Sequence, residues 1–417
     1  MARSGKQYTS DNKARRTTRS WEKGGQWKGV SPHRIDDDAS VPHHAVSMKR
    51  RTKDIRKTTP NDLSRELVYG IVLYGMGRTW TVQITSVPEN FSAMFQQQSG
   101  DTFFHMIPSV GATIEMQSAR STTTQNDSST LLAVGDHVAC DIQPVLAEGA
   151  MPEGIIRHVF ARSSKFARAS AGVDGMEQVI SANADQVLIV MSAADPFYNK
   201  KLLDRMLISA VDGNVDVGLC INKMDLMDRT FVKKDLQFYV REFGATLFLL
   251  SAHAVANHTT QQESLRSAEE FRQLKAYLLG KTTIFTGPSG VGKSTLVNAL
   301  LGASEQSVGA VSEKTSKGMH TTSFGKLLPL DLGEESNGQK TWIVDTPGIR
   351  EWGLWNVARH ELSFYFKEFA SFSQNCKFYA CMHRHEPDCA VKRAVDLGTI
   401  DEERYESYCI LWDSLPE

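Results

Sequence analysis

The chain has 417 residues, 41% hydrophobic and 23% charged, which leaves room for two to four domains with substantial cores and excludes a single small module. No run approaches the roughly 18 apolar residues that span a bilayer, and the polar start MARSGKQYTS lacks the apolar core of a secretory signal, so a cytoplasmic protein with no membrane partner is expected. The net charge of −1 hides an asymmetry, because residues 1–58 hold 15 Lys and Arg against 6 Asp and Glu while the remainder holds 32 against 42.

That basic, Gly/Ser/Thr-rich head has too few apolar residues to order itself, so residues 1–65 are expected to form a flexible basic arm. It is either a solvated tail or a contact for nucleic-acid phosphates. From about Leu67 short β-rich runs follow, broken by glycine: GIVLYGMGRTWTVQI, FFHMI, LLAVGDHVACDIQP and GIIRHVFARSS. They predict a small β-barrel over residues 66–165, which a five-stranded oligonucleotide-binding (OB) fold fits, although periodicity does not distinguish it from other small barrels.

From about Gln178 strands alternate with helices: VLIVMSA, KLLDRMLISAV, VDVGLCINKMD, FVKKDLQFYVREFG, TLFLLSA, EEFRQLKAYLLG, TTIFTG, STLVNALLG and TWIVDTPG. Such alternation predicts an α/β domain on a mostly parallel sheet over residues 176–355, with ligands at the carboxyl ends of the strands. After Trp352 the texture becomes helical and aromatic, passes through a cysteine cluster and ends in EERYESYCILWDSL, a small α-helical domain over residues 356–417.

The chemistry-bearing motifs sit where strands end. Gly287, Pro288, Ser289, Gly290, Val291, Gly292, Lys293 and Ser294 form a GxxxxGKS loop that follows a strand and opens a helix continuing with Thr295. In such a loop backbone N–H groups close around phosphates, Lys293 neutralises the β and γ groups and the Ser294 hydroxyl binds Mg²⁺. The loop alone does not choose between ATP and GTP. The choice comes from Asn222, Lys223, Met224 and Asp225, an NKxD box in which the Asp225 carboxylate accepts the N1 and N2 hydrogens of guanine, Asn222 braces the site and reaches the base edge, and the Lys223 stem lies along the ring. Ser251 and Ala252 add a backbone N–H for the guanine O6.

Asp345, Thr346, Pro347 and Gly348 close a further strand, where Asp345 is placed to hold Mg²⁺ through water and the Gly348 N–H to bond the γ-phosphate. Between these motifs lies KGMHTT, in which either Thr321 or Thr322 completes the Mg²⁺ shell as a switch. Ile349 follows DTPG and cannot orient a water, so His320, a backbone group or a partner is left to help hydrolysis. Finally Cys376, Cys381, His383 and Cys389 suit one structural tetrahedral Zn²⁺, with His385 as a rival ligand, while Cys140, Cys220 and Cys409 read as core thiols.

Ordinary GTPases meet the phosphate loop first and NKxD last; here NKMD and Ser251-Ala252 precede GPSGVGKS, GMHTT and DTPG, the order of a circular permutation. With SANADQVLIVMSA, DTPGIREWGL and CKFYACMHRHEPDC, that order resembles the RsgA/YjeQ family of small-ribosomal-subunit-dependent GTPases over about residues 66–417. The resemblance implies an OB barrel, a permuted GTPase domain and a zinc domain, with GTP and GDP as ligands. It also implies that barrel and zinc domain grip ribosomal RNA late in maturation of the small subunit and that hydrolysis triggers release; the chain is expected to act as a monomer. The long arm and the stretch DLGEESNGQK depart from the family's pattern. Two readings stand beside this one: a GTP-dependent RNA-binding factor whose hydrolysis is incidental, and a permuted GTPase of the large subunit.

Overall fold

In the computed structural model the described residues are 67–76, 79–89, 109–123, 130–143, 153–170, 176–252, 261–302, 325–332, 338–349 and 352–416. The basic arm, the FFHMI run and the KGMHTT segment lie outside them. The described residues all fall within one compact unit, Ile55–Glu417.

The first strands alternate inward apolar and outward polar residues, the period of a half-buried sheet. Strands β1 (Val68–Met76), β2 (Thr79–Ser86), β3 (Thr113–Thr123), β4 (His137–Gln143) and β5 (Glu153–Val159) close a barrel in the order β1-β2-β3-β5-β4. Only β3 and β5 pair in parallel, and the lumen is filled by Val68, Val72, Val82, Ile84, Ile114, Met116, Val138, Cys140 and Ile156. Burial pushes the Cys140 thiol up to about 12, as expected of an inert core thiol.

A two-stranded ribbon, β6 (Lys165–Ala169) with β7 (Glu177–Ala182), leads from the barrel to the main sheet. The main sheet contains β8 (Gln186–Ser192), β9 (Asp216–Asn222), β10 (Thr246–Leu249), β11 (Thr282–Thr286), β12 (Lys326–Leu330) and β13 (Thr341–Asp345). Their order is β10-β9-β8-β11-β13-β12, parallel except for the edge strand β12, where Pro329 is tolerated. Helices α1 (Lys200–Asp212), α2 (Arg229–Phe243), α3 (Gln261–Leu278) and α4 (Lys293–Gly302) cover it. β8 is buried throughout: Val187, Ile189 and Met191 pack with Leu203, Met206 and Leu236 on one face, while Leu188 and Val190 pack with Leu274, Leu278 and Leu296 on the other.

Beyond Trp352 come short helices α5 (Leu362–Tyr365), α6 (Ala370–Ser373) and α7 (Ala390–Asp396), then α8 (Glu402–Ser414), around a core of Phe366, Phe369, Val391, Tyr408 and Leu411. Ile208 of α1 joins that core. Cys220 is fully buried, but Cys409 is only half-buried at the edge of the helical cluster. No helix of the described residues is long and apolar enough to cross a membrane.

Candidate functional site

Because β8, β9, β10, β11 and β13 run parallel, the loops after β9, β10, β11 and β13 open on one edge of the sheet. Motifs separated by over a hundred residues therefore meet there. Asn222 is the hinge of the arrangement: its Nδ2 donates to the Val291 carbonyl of the phosphate loop at 2.9 Å and its Oδ1 accepts from the Ala252 N–H at 2.9 Å. Both ends of this amide thus take part in bracing, one Nδ2 hydrogen being left over, and the Ala252 donor expected to face a base is engaged by Asn222.

Lys223 takes φ 57, which turns the chain sharply after β9, and its Nζ donates to the Asp195 carbonyl. The Asp225 N–H donates to Ser251 Oγ at 2.9 Å, and that hydroxyl donates to Asp225 Oδ1 at 2.7 Å. Ser251 therefore aligns the carboxylate as well as holding its turn, a role not legible in the motif.

In the phosphate loop Gly287 approaches β8 so closely that a Cβ would stand 2.0 Å from the Val190 carbonyl oxygen, and Gly292 takes φ 87, a left-handed conformation that favours glycine. Lys293 is 7% exposed and pairs with Asp345 Oδ1, which supplies the counter-charge that a buried ammonium needs. Ser294 and Thr295 are exposed in the first turn of α4. DTPG is fastened to the same loop: Thr346 Oγ1 donates to the Phe285 carbonyl at 2.7 Å and the Ile349 N–H to the Gly287 carbonyl at 3.1 Å. Pro288 bridges Ile349, and a Cβ on Gly348 would lie 3.3 Å from Ser289 Cα. The Ile349 side chain belongs to the buried core. His320, Thr321 and Thr322 lie outside the described residues.

A second cluster forms in the carboxyl-terminal region. Cys376, Cys381, His383 and Cys389 place their ligand atoms within 4.8 Å of one another. Cys376 Sγ lies 3.6 Å from His383 Nδ1 and 3.9 Å from Cys389 Sγ, and His383 Nδ1 lies 3.4 Å from Cys389 Sγ. Tetrahedral bonds of about 2.0 to 2.3 Å separate ligands by roughly 3.3 to 3.8 Å, and the shorter separations here lie near that range, so the cluster is compatible with a tetrahedral metal site.

The His383 tautomer follows from its neighbours. Ser373 Oγ donates to the Phe369 carbonyl at 2.8 Å and so accepts from His383 Nε2 at 3.2 Å, which leaves the Nδ1 lone pair for a metal. Burial holds the His383 imidazole below its ordinary pKa and pushes the Cys381 thiol up to about 12, so a cation binding here displaces thiol protons. The Tyr405 and Tyr408 hydroxyls donate to the His383 and Met382 carbonyls at 2.7 and 2.6 Å. His385 is exposed and stands outside the cluster.

A buried ion pair is among the links that join this region to the sheet layer, and no motif announced it. Arg404 of α8 pairs with Asp204 of α1 and with Glu368, its Nε 2.8 Å from Glu368 Oε1, while its guanidinium lies 4.3 Å from the Phe366 ring centroid. Trp352, just after DTPG, adds a hydrogen bond from Nε1 to Ser209 Oγ at 2.8 Å.

Comparison with known proteins finds relatives for this chain. The model of a family described as RsgA GTPase matches residues 159–355. A Chlorobaculum parvum protein named small ribosomal subunit biogenesis GTPase RsgA is 38% identical over 333 residues, covering 79% of this chain and 99% of the relative. A relative of the same name from Caldanaerobacter subterraneus is 35% identical over 265 residues, covering 64% of this chain and 79% of the relative. Among solved structures, YjeQ from Thermotoga maritima is similar with a TM-score of 0.52 and 27% identity, covering 83% of this chain and 97% of that one.

Proposed function

Since the chain belongs to the RsgA GTPase family and is a GTP-hydrolysing enzyme, we propose that it acts on the small (30S) ribosomal subunit, assisting late maturation and leaving when GTP is hydrolysed. The observation that carries the reading is the convergence of NKMD, the phosphate loop and DTPG on one sheet edge through Asn222, with DTPG continuing directly into the cysteine-bearing helices. The relatives' printed name supplies the partner class.

In this reading Asp225 accepts the guanine N1 and N2 hydrogens while Ser251 holds it in line, and the phosphate loop N–H groups receive the phosphates. Lys293, now paired with Asp345, would turn to the β and γ phosphate oxygens, and Mg²⁺ would be held by Ser294 and one of Thr321 and Thr322, with Asp345 reaching it through water. Mg²⁺ bound there neutralises charge that develops on the phosphates. The Gly348 N–H bonds the γ-phosphate. Ile349 is buried and offers no polar atom, so the attacking water is oriented by His320, by backbone or by the ribosome, which makes intrinsic turnover slow.

Zn²⁺ held by Cys376, Cys381, His383 and Cys389 gives the carboxyl-terminal region its shape. Between two of these ligands Tyr379 is fully exposed and Phe378 is 43% exposed, beside Lys377. Exposed aromatics next to a cation suit base stacking on ribosomal RNA, worth about 1 to 3 kcal/mol per base. The chain works in the cytoplasm as a monomer. Hydrolysis of GTP and of ATP, each measured with and without purified small subunits, tests the proposal. GTP turnover should rise with small subunits and ATP turnover should not; stimulation by large subunits alone would refute it.

A further inference from the structure

The connector between β8 and α1, residues Ala193 to Asn199, carries none of the nucleotide-binding motifs yet touches two of them. The Ala193 N–H donates to the Asn222 carbonyl at 2.9 Å, and Lys223 Nζ donates to the Asp195 carbonyl. A Cβ on Gly290 of the phosphate loop would lie 3.7 Å from Pro196 Cδ, an ordinary van der Waals distance. One short segment thus rests against both the guanine-reading box and the phosphate loop.

The connector is itself held in place. Ser192 Oγ donates to the Pro196 carbonyl at 2.5 Å, and the buried Tyr198 donates its hydroxyl to Asp235 Oδ2 at 2.6 Å. The Phe197 ring stacks on Tyr198 with centroids 4.1 Å apart, and the Asn199 side chain caps α1 by accepting from the Lys201 N–H at 2.9 Å. Asp195 takes φ 45, and in that conformation its carbonyl meets the Lys223 ammonium.

The chemistry of that contact suits a nucleotide site. A carbonyl is neutral, so it fixes the ammonium without cancelling its charge, and an ammonium has three donors, two of which stay available. A carboxylate in the same place would cancel that charge. Lys223 stands on a flexible four-carbon stem, and an anchor fixed before the ligand arrives reduces the ordering left for binding to supply.

We propose that the connector is a further wall of the nucleotide site, in which the Asp195 carbonyl and the Pro196 ring position Lys223 and the phosphate loop for guanine nucleotides. The inference rests on the reading of Lys223 as a residue that lies along the base. Asp195 and Pro196 are positioning residues, since they act through Lys223 and Gly290.

The test is a double-substitution cycle on the full chain, read as affinity for fluorescent GDP and for a non-hydrolysable GTP analogue. Asp195→Val disfavours positive φ and turns the carbonyl away. It should weaken both nucleotides about tenfold, the size of one lost hydrogen bond to a charged group. Lys223→Ala should weaken them by a similar factor, and the doubly substituted chain should be no worse than Lys223→Ala alone. Pro196→Gly, which removes the ring beside Gly290, should give a smaller loss in the same direction and serves if Asp195→Val fails to fold. Wild-type affinity in both connector variants overturns the proposal, as does an Asp195→Val loss that adds in full to that of Lys223→Ala, because then the Asp195 carbonyl does not act through the lysine. If Lys223→Ala itself binds normally, the underlying reading of Lys223 fails together with the connector; a chain sensitive at Lys223 and indifferent at the connector refutes only the connector.

Discussion

Replacing Arg404 by methionine asks how firmly the cysteine-bearing helices are held to the layer of α1. Arg404 is 5% exposed and Asp204 1%, and the guanidinium answers Asp204 and Glu368 at once while lying over the rings of Phe366 and Phe238. Methionine fills much of the stem's volume but leaves two carboxylates without a cation, so the loss of stability should be about 3 to 5 kcal/mol, the range for breaking one side of a buried pair. Replacing Asp204 by leucine in the same chain should recover a large part of it, since a well-packed apolar pair often equals a buried ionic one. The pH dependence supplies a second signature. Burial pushes the Asp204 carboxyl above its ordinary value and Arg404 pulls it back. Without Arg404 the carboxyl climbs further, and an acid raised in the folded state contributes stability at low pH that is lost as pH rises through its folded value. The deficit of Arg404→Met relative to the wild type should therefore be larger at pH 8 than at pH 5 in urea unfolding. A deficit below about 1 kcal/mol, or one that does not change with pH, would refute the reasoning.

Further outcomes follow from the same geometry. Asp225→Asn should lower GTP affinity by about tenfold or more, because the amide cannot accept both guanine hydrogens while its donors face donors; titration calorimetry with GTP and ATP measures the change. Gly292→Ala should destabilise the loop by more than about 1 kcal/mol and weaken nucleotide binding, since its Cβ would stand 2.3 Å from Asn222 Nδ2 at φ 87; thermal unfolding with and without GDP reads both effects. Elemental analysis should find about one zinc per chain, absent in Cys389→Ser, and a chelator should loosen residues around α8 to proteolysis while GDP binding persists.

Much of the fold was legible because local chemistry repeats it. The unbroken apolar run Val187–Met191 could only be a strand buried on both faces, and Gly287 through Ser294 carries its own backbone geometry. Strand β3 was not read, since TIEMQSARSTT buries Ile114 and Met116 between polar residues and looks like a loop until the barrel closes around it. β12 hid behind Pro329, which suits only an edge. The ribbon β6–β7 was missed because strands this short, with half-buried residues such as Lys165, Arg168 and Gln178, carry little alternation.

What the amino-acid order determined by itself was the set of parts: a phosphate loop, a base-reading box, a cysteine cluster and their permuted sequence along the chain. Each depends on residues close together, whose spacing dictates a turn, a cap or a ligand set. Only the tertiary structure decided which part holds which. Asn222 reaches Val291 across 69 residues and Arg404 reaches Asp204 across 200. Neither partner could be chosen from spacing, because a hydrogen bond or ion pair is selected by where packing leaves two groups within about 3 Å, and that is a property of the whole sheet and its helices.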